Sequence, residues 1–383
     1  MTQAAQTQGF FSQLRVIVAA GAVSLSSGVW AQDLYAPNEV WKPRSDGMNL
    51  STFTYMDRNE NGTYDLGDQP LAGIYYEARK DGNVLSQAES NKNGFANFKA
   101  SRISPEAIIY DVGDYTFEVL LPPYWTVTSG NGTQTRRFGD IEGAAMGGGL
   151  DNMMEPVGLV PPKSIRGRTE PGRLVFISGP DVPLTQVEVA PDGRFNLIVP
   201  TRGQYTLTSG STSISVSIAE FPVDIGTLRS QRPMQGSKNT VSFDDITDGS
   251  VRKIPNGYGG LEWFNLNAIR NIFERFSRGY VNGATSGSFT AYTSSGHPAL
   301  ISHPDGFDFV QMNVSTSWRN AEGETAVFEF FRDGELIAVD EVTLSIYSPV
   351  VYTPRVNDVT EVRISTRHYW QLVMDDFVFG LKY

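Results

Sequence analysis

From Met48 onward the chain runs in short stretches of alternating apolar and polar side chains, separated by Gly, Asn, Asp and Pro. Phe53 and Tyr55, for example, alternate with Thr52 and Thr54. A period of two puts one set of side chains on a buried face and the other on a wet one, which predicts strands. Val327-Phe328-Glu329-Phe330-Phe331 and Leu336-Ile337-Ala338-Val339 flank Asp333-Gly334, a pair that tolerates the positive φ of a tight turn, and together they predict a hairpin. One stretch departs from this period. Apolar residues at 266, 269, 272 and 273 fall on a helical spacing and predict a short helical turn. The pattern as a whole predicts an all-β protein.

Two breaks divide the strands, the pair Pro161-Pro162 and the polar stretch from Arg229 to Lys238 containing Arg232-Pro233. They give units of ordinary domain size over 48–161, 162–236 and 237–383. The first two units share a motif. Asn93-Gly94-Phe95-Ala96-Asn97-Phe98 is followed by Gly113-Asp114-Tyr115-Thr116-Phe117, and Asp192-Gly193-Arg194-Phe195-Asn196-Leu197 by Gly203-Gln204-Tyr205-Thr206-Leu207. In each, a tight turn opens one strand and a Gly-x-Tyr-Thr element starts another, so both units are expected to be related β-sandwiches, the first with a longer loop.

These residues carry resemblances. Unit 162–236, headed by Ile165-Arg166-Gly167, resembles the transthyretin-like (prealbumin-like) carboxypeptidase regulatory domain. Unit 48–161, closed by Pro156-Val157-Gly158-Leu159-Val160-Pro161, resembles the B-type repeat of serine-aspartate-repeat surface proteins, related to collagen-adhesin B domains. Unit 237–383, which opens on Phe243-Asp244-Asp245 and closes on Met374-Asp375-Asp376-Phe377-Val378-Phe379, is similar to the jelly-roll, galactose-binding-like or carbohydrate-binding modules of exported bacterial proteins. The implied architecture is three tandem β-sandwiches, two transthyretin-like and one C-terminal jelly roll.

The most specific chemistry lies at 57–68. Asp57, Asn59, Asn61, Asp65 and Asp68 occupy positions 1, 3, 5, 9 and 12 of an EF-hand-like loop, with Gly62 at position 6 and Thr63 offering its carbonyl at position 7. Ca²⁺ is a hard cation that takes about six to eight oxygens, and one short loop supplies them only if alternate side chains turn inward around a sharp bend. Asp at position 12, in place of Glu, shortens the bidentate reach. The flanks read as strands, so the expected role is structural and not that of a switching helix pair. If the first and last strands of the third unit lie side by side, Asp244, Asp245, Asp375 and Asp376 form a second candidate calcium site; a solvated strand end explains them equally well. Trp263, Trp318 and Trp370 are candidate sugar-stacking platforms, although burial is the commoner fate of Trp.

Composition narrows the function classes. With no Cys there are no disulfides, thiolate metal sites or cysteine nucleophiles. A net charge of −11 argues against nucleic acid as a partner. Residues 1–31 read as an export signal: Arg15 is the sole charge, Val16 to Val23 the apolar run, and Val29-Trp30-Ala31 the small-residue site before Gln32. No later run is long and apolar enough for a transmembrane segment. The expected location is secreted, extracellular or at the cell surface, with the periplasm as an alternative. No Gly-x-Ser-x-Gly, His-Glu-x-x-His or phosphate-binding glycine loop is present. The expectation is therefore a non-enzymatic, calcium-stabilised, adhesin-like binding protein whose partner is an extracellular glycan or a surface protein. The alternatives are a purely structural extracellular or surface-layer component and, behind it, a glycosidase.

Overall fold

The computed structural model describes residues 48–100, 108–109, 111–138, 154–230, 232–234, 236–271 and 278–381; the segment read as an export signal lies outside them. The described chain is nearly all β. The Asp333-Gly334 hairpin forms as expected between strands Thr325–Arg332 and Glu335–Thr343. The helical turn expected at 266–273 is corrected over 266–270, while positions 272 and 273 lie outside the described residues. Leu266–Arg270 is a strand between Val251–Lys253 and Phe289–Thr293. Its helical spacing was coincidental, because cross-strand pairing and burial of Leu266, Ala268 and Ile269 decide its conformation. The α-helix among the described residues is Arg278–Asn282.

The shared motif corresponds to a shared fold. Strand Met48–Met56 pairs antiparallel with Phe95–Ala100 and parallel with Val157–Val160. Ser164–Arg168 does the same with Arg194–Ile198 and Val223–Thr227. In the opposite sheets, Gly113–Leu120 lies between Tyr75–Lys80 and Thr133–Phe138, as Gly203–Ser209 lies between Val175–Gly179 and Thr212–Ile218. Gly94 and Gly193 both have positive φ. Each accepts a 2.8 Å bond from the amide of the first strand, Thr54 or Thr169, and a side chain at either would meet that same residue's carbonyl oxygen. Only glycine fits there. The tyrosine of each Gly-x-Tyr-Thr is buried, and its hydroxyl donates to the carbonyl four residues earlier, Tyr115 to Asp111 at 2.8 Å and Tyr205 to Thr201 at 2.7 Å.

Among the described residues each unit has its own main apolar core. One is built around Tyr76, Phe98 and Phe117, a second around Ile177, Tyr205 and Ile225, and a third, the largest, around Phe309, Phe328 and Phe377. In the third unit Ser237–Val241 pairs along the final strand Leu372–Leu381, so its first and last strands are neighbours.

The units are joined by more than linkers. Val223–Thr227 pairs parallel with Val350–Tyr352 of the third unit, which carries the second unit's sheet directly into it. Phe221, from the end of the second unit, is buried in the first unit's core. Asn282 of the helix exchanges two bonds with the backbone of Ala72, at 3.0 and 2.9 Å, and Arg278 pairs with Glu89 at 2.9 Å. The three sandwiches pack around one junction.

A buried carboxyl at that junction gives a pH test. Burial raises Asp224 from 3.8 to about 6, against the opposing pull of the Gly226 amide and Arg166. Its folded pKa exceeds its unfolded one, so its contribution is fully present below about pH 4 and is lost as pH rises through about 6. At about 1.4 kcal/mol per unit, that is ~3 kcal/mol. Asp224→Asn should gain about this much on wild type between pH 4 and 7 in urea melts; a difference that stays constant with pH refutes the assignment.

Candidate functional site

The loop at 57–68 connects strand Met48–Met56 to the short strand Gln69–Pro70. Its bend is real: Glu60 and Gly62 have positive φ, and a side chain at 62 would press on the Thr128 carbonyl. Asp57 is fully buried and accepts from the amides of Asn61 at 3.2 Å and Gly62 at 2.8 Å. The side-chain amides of Asn59 and Asn61 donate to Asp65 at 3.0 and 2.6 Å. Asp68 accepts from the amides of Arg58 at 2.8 Å and Asp65 at 3.1 Å. Thr63 sits one residue past the bend, and its amide donates to Asn61 Oδ1 at 2.8 Å.

The three carboxylates at ligand positions, Asp57, Asp65 and Asp68, thus share one small loop, and none of these three takes part in an ion pair among the described residues. Their combined field is felt by Tyr55, whose hydroxyl pKa is pushed up by burial first and then by Asp57, Asp68 and Asp65. Burial likewise raises Asp68. The donor set, carboxylates with amide and carbonyl oxygens at the EF-hand spacing, fits a calcium ion. The side chains do not surround a common point: among the described residues no three acidic or imidazole groups are gathered in coordinating positions. Hydrogen bonds to amide N–H groups hold the carboxylates instead.

The loop positions that offer no ligand carry a role the sequence reading missed. Arg58, at position 2, donates to Glu220 of the second unit at 2.6 Å and to the Thr285 carbonyl of the third at 3.4 Å, and lies over the Phe221 ring. Glu60, at position 4, pairs with Lys163 and Arg202, both at 2.9 Å. Ligand positions in such a loop face inward, so positions 2 and 4 had to face out. Only the fold shows what they meet.

The second acidic set converges on one segment. Asp375 accepts from the Thr285 amide at 2.7 Å, and Asp376 from the hydroxyls of Thr285 at 2.6 Å and Ser286 at 2.7 Å. Asp244 accepts from the Ser288 amide at 2.7 Å. Burial, then Asp376, pushes Asp375 to about 8. Asp245 turns elsewhere, taking the Tyr258 hydroxyl at 2.6 Å.

The tryptophans separate. Trp263 is 3 % exposed, packed against Phe243 and Phe377, with its N–H donated to the Tyr258 carbonyl. It belongs to the core and has no free ring face, which corrects its reading as a platform. Trp318 is 37 % exposed, and its N–H is anchored at 2.9 Å to Gln371 Oε1, which also accepts from Tyr280. Trp370, half-buried, precedes Gln371, so these two tryptophans occupy the same end of the third unit.

No protein-family profile and no curated protein matches the chain. Among solved structures it is similar to the Bacillus anthracis TIE protein, at 8 % identity over 83 % of this chain and TM-score 0.20; the chain spans 44 % of that protein's length. It is similar also to the K1 cleaved adhesin domain of Lys-gingipain from Porphyromonas gingivalis, at 11 % identity, TM-score 0.23, covering 39 % of this chain and 100 % of that one. The CBM22-1 xylan-binding domain of Xyn10C from Paenibacillus barcinonensis matches at 11 % identity and TM-score 0.23, over 39 % of this chain and 97 % of that one. No helix among the described residues is long and apolar enough to cross a membrane.

Proposed function

We propose that this is an exported, calcium-stabilised protein that acts by binding at a cell surface or matrix, in the manner of an adhesin, with extracellular glycans as its ligand class. The observation that carries the binding half is Trp318: its indole N–H is fixed to Gln371 while more than a third of the residue stays open to solvent. A ring fixed at one edge and more than a third exposed suits stacking on a sugar, with Trp370 at the same end of the unit. Calcium would be held by Asp57, Asn59, Asn61, Asp65 and Asp68 with the Thr63 carbonyl, and a second ion by Asp244, Asp375 and Asp376. The ion supplies positive charge to carboxylates that lack it and cross-links a loop in a chain without disulfides.

A glycan array probed with the full mature chain tests the binding half. Trp318→Ala should weaken any glycan recognised there by about 1 kcal/mol or more, the loss on truncating an aromatic anchor, with the fold intact. Silence on the array favours the second reading, a purely structural surface component. The sheet shared between the second and third units favours that reading in its turn, since it suits a rigid load-bearing body.

A further inference from the structure

A cleft of about 530 Å³ opens where the three units meet, and neither the calcium residues nor the third unit's tryptophans line it. Its floor is strand Ser164–Arg168. Ile165 points into the second core, so by strand alternation Ser164 and Arg166 face the opposite way, and both line the cleft. Asp224 and Glu322 stand beside Arg166, and the first unit's Pro122-Pro123-Tyr124-Trp125 turn forms a wall.

Two polar groups on this floor lack protein partners. Ser164 is 1 % exposed and its Oγ makes no hydrogen bond; the buried Nε of Arg166 likewise has no acceptor. Asp224 Oδ1 takes the Gly226 amide at 2.8 Å, and Glu322 Oε2 takes the Ile346 amide at 2.7 Å and the Ser345 hydroxyl at 3.1 Å. Each carboxylate keeps its other oxygen for an incoming donor. A buried polar group without a partner is costly, so a matching ligand is favoured by supplying one.

The charges select the kind of ligand. The lining carries three guanidiniums, Arg166, Arg168 and Arg194, against three carboxylates, Asp224, Glu322 and Glu341, so it has no excess of either sign to favour an anion or a cation. Hydroxyls both donate and accept, and a molecule rich in them satisfies such a mixed floor without adding charge. The wall suits the apolar face of a ring: Tyr124, 72 % exposed, is held outward at a positive φ of 66°, and Trp125 lies next to it. Convergent polar groups beside an aromatic wall at a junction of units are the usual make-up of a small-ligand site.

We propose that this cleft binds a neutral oligosaccharide, one sugar ring resting on Tyr124 and its hydroxyls bonded by Ser164, Arg166, Asp224 and Glu322. The proposal rests on the glycan-binding reading for its ligand class and adds a site at the junction to the one in the third unit.

The test is calorimetric titration of the full mature chain with xylohexaose, cellohexaose and maltohexaose, and with a hexamer of galacturonate as the anionic counterpart. At least one neutral hexamer should bind, and Tyr124→Ala and Arg166→Gln should each weaken it tenfold or more. Tyr124 is exposed, so its variant keeps the proposal testable if Arg166→Gln unfolds. Neutral binding that survives both cleft changes and falls with Trp318→Ala overturns the cleft and leaves the glycan reading standing. Tighter binding of the galacturonate hexamer overturns the neutral assignment. If none of the four binds, the cleft proposal falls; the glycan array then decides the wider reading.

Discussion

Asp340→Ala is expected to destabilise the chain by about 3–5 kcal/mol, the range for breaking a buried ion pair from one side. The Asp340 side chain is fully buried at the join between the second and third units. It accepts from Arg229 at 2.6 and 3.1 Å, from the Thr227 amide at 2.9 Å and from the Tyr352 hydroxyl at 2.8 Å. Truncation leaves a guanidinium, an amide and a phenol without their acceptor, and unpaired buried groups dominate the loss. Arg229→Met should cost less, because Asp340 keeps two donors and Arg229 is a quarter exposed. The rank order is the discriminating result in urea melts. Equal losses, or a loss under about 1 kcal/mol for Asp340→Ala, would place this join among weak surface pairs.

That join also marks where the sequence stops being legible. Strands, hairpins and the repeated sandwich could be read because each depends on neighbours close in the chain: alternation sets the face, and Asn-Gly or Asp-Gly sets the turn. Gly94 and Gly193 stand at the same step of the same turn, and the motif announced it. The parallel pairing of Val223–Thr227 with Val350–Tyr352 has no such signal, because either strand alone reads as an ordinary buried run. Leu266–Arg270 failed for the converse reason. A local period pointed to a helix, and partners on both sides overrode it.

The sites divide along the same line. Ligand spacing at 57–68 is a local property and was visible, whereas the partners of Arg58 and Glu60 lie in other units. That Asp244, Asp375 and Asp376 all bond to the 285–289 segment goes with the pairing of the terminal strands; the turn of Asp245 towards Tyr258 is a side-chain choice that spacing does not encode. The junction cleft takes its wall from the first unit, its floor from the second and Glu322 from the third. No segment of the chain contains it.

Calcium removal is expected to produce the other large effect, and to be felt beyond the first unit. Extracellular loops of this kind bind Ca²⁺ with Kd of about 10⁻⁴ to 10⁻³ M, and a ligand present at about 100 times Kd adds ~2.7 kcal/mol of stability. The full chain should therefore melt at a lower temperature in chelator than in 10 mM (~10–100 times Kd) calcium. Asp65→Asn is the cleanest loop variant, because it removes a charge at an isosteric, partly exposed position and should abolish most of the calcium-dependent shift. Asp57→Ala should abolish it too, while lowering the melting temperature even in chelator, since buried Asp57 also caps the Asn61 and Gly62 amides. Arg58→Ala separates the loop's two duties: it keeps every proposed ligand but cuts the bond to Glu220 and the reach to Thr285. Its calcium affinity should match wild type by calorimetry. The protection that calcium gives the 229–238 segment against limited proteolysis should shrink, because the loop no longer holds the neighbouring units. A calcium shift of wild-type size in both Asp57→Ala and Asp65→Asn would remove the ion from this loop, and protection unchanged in Arg58→Ala would confine its effect to the first sandwich.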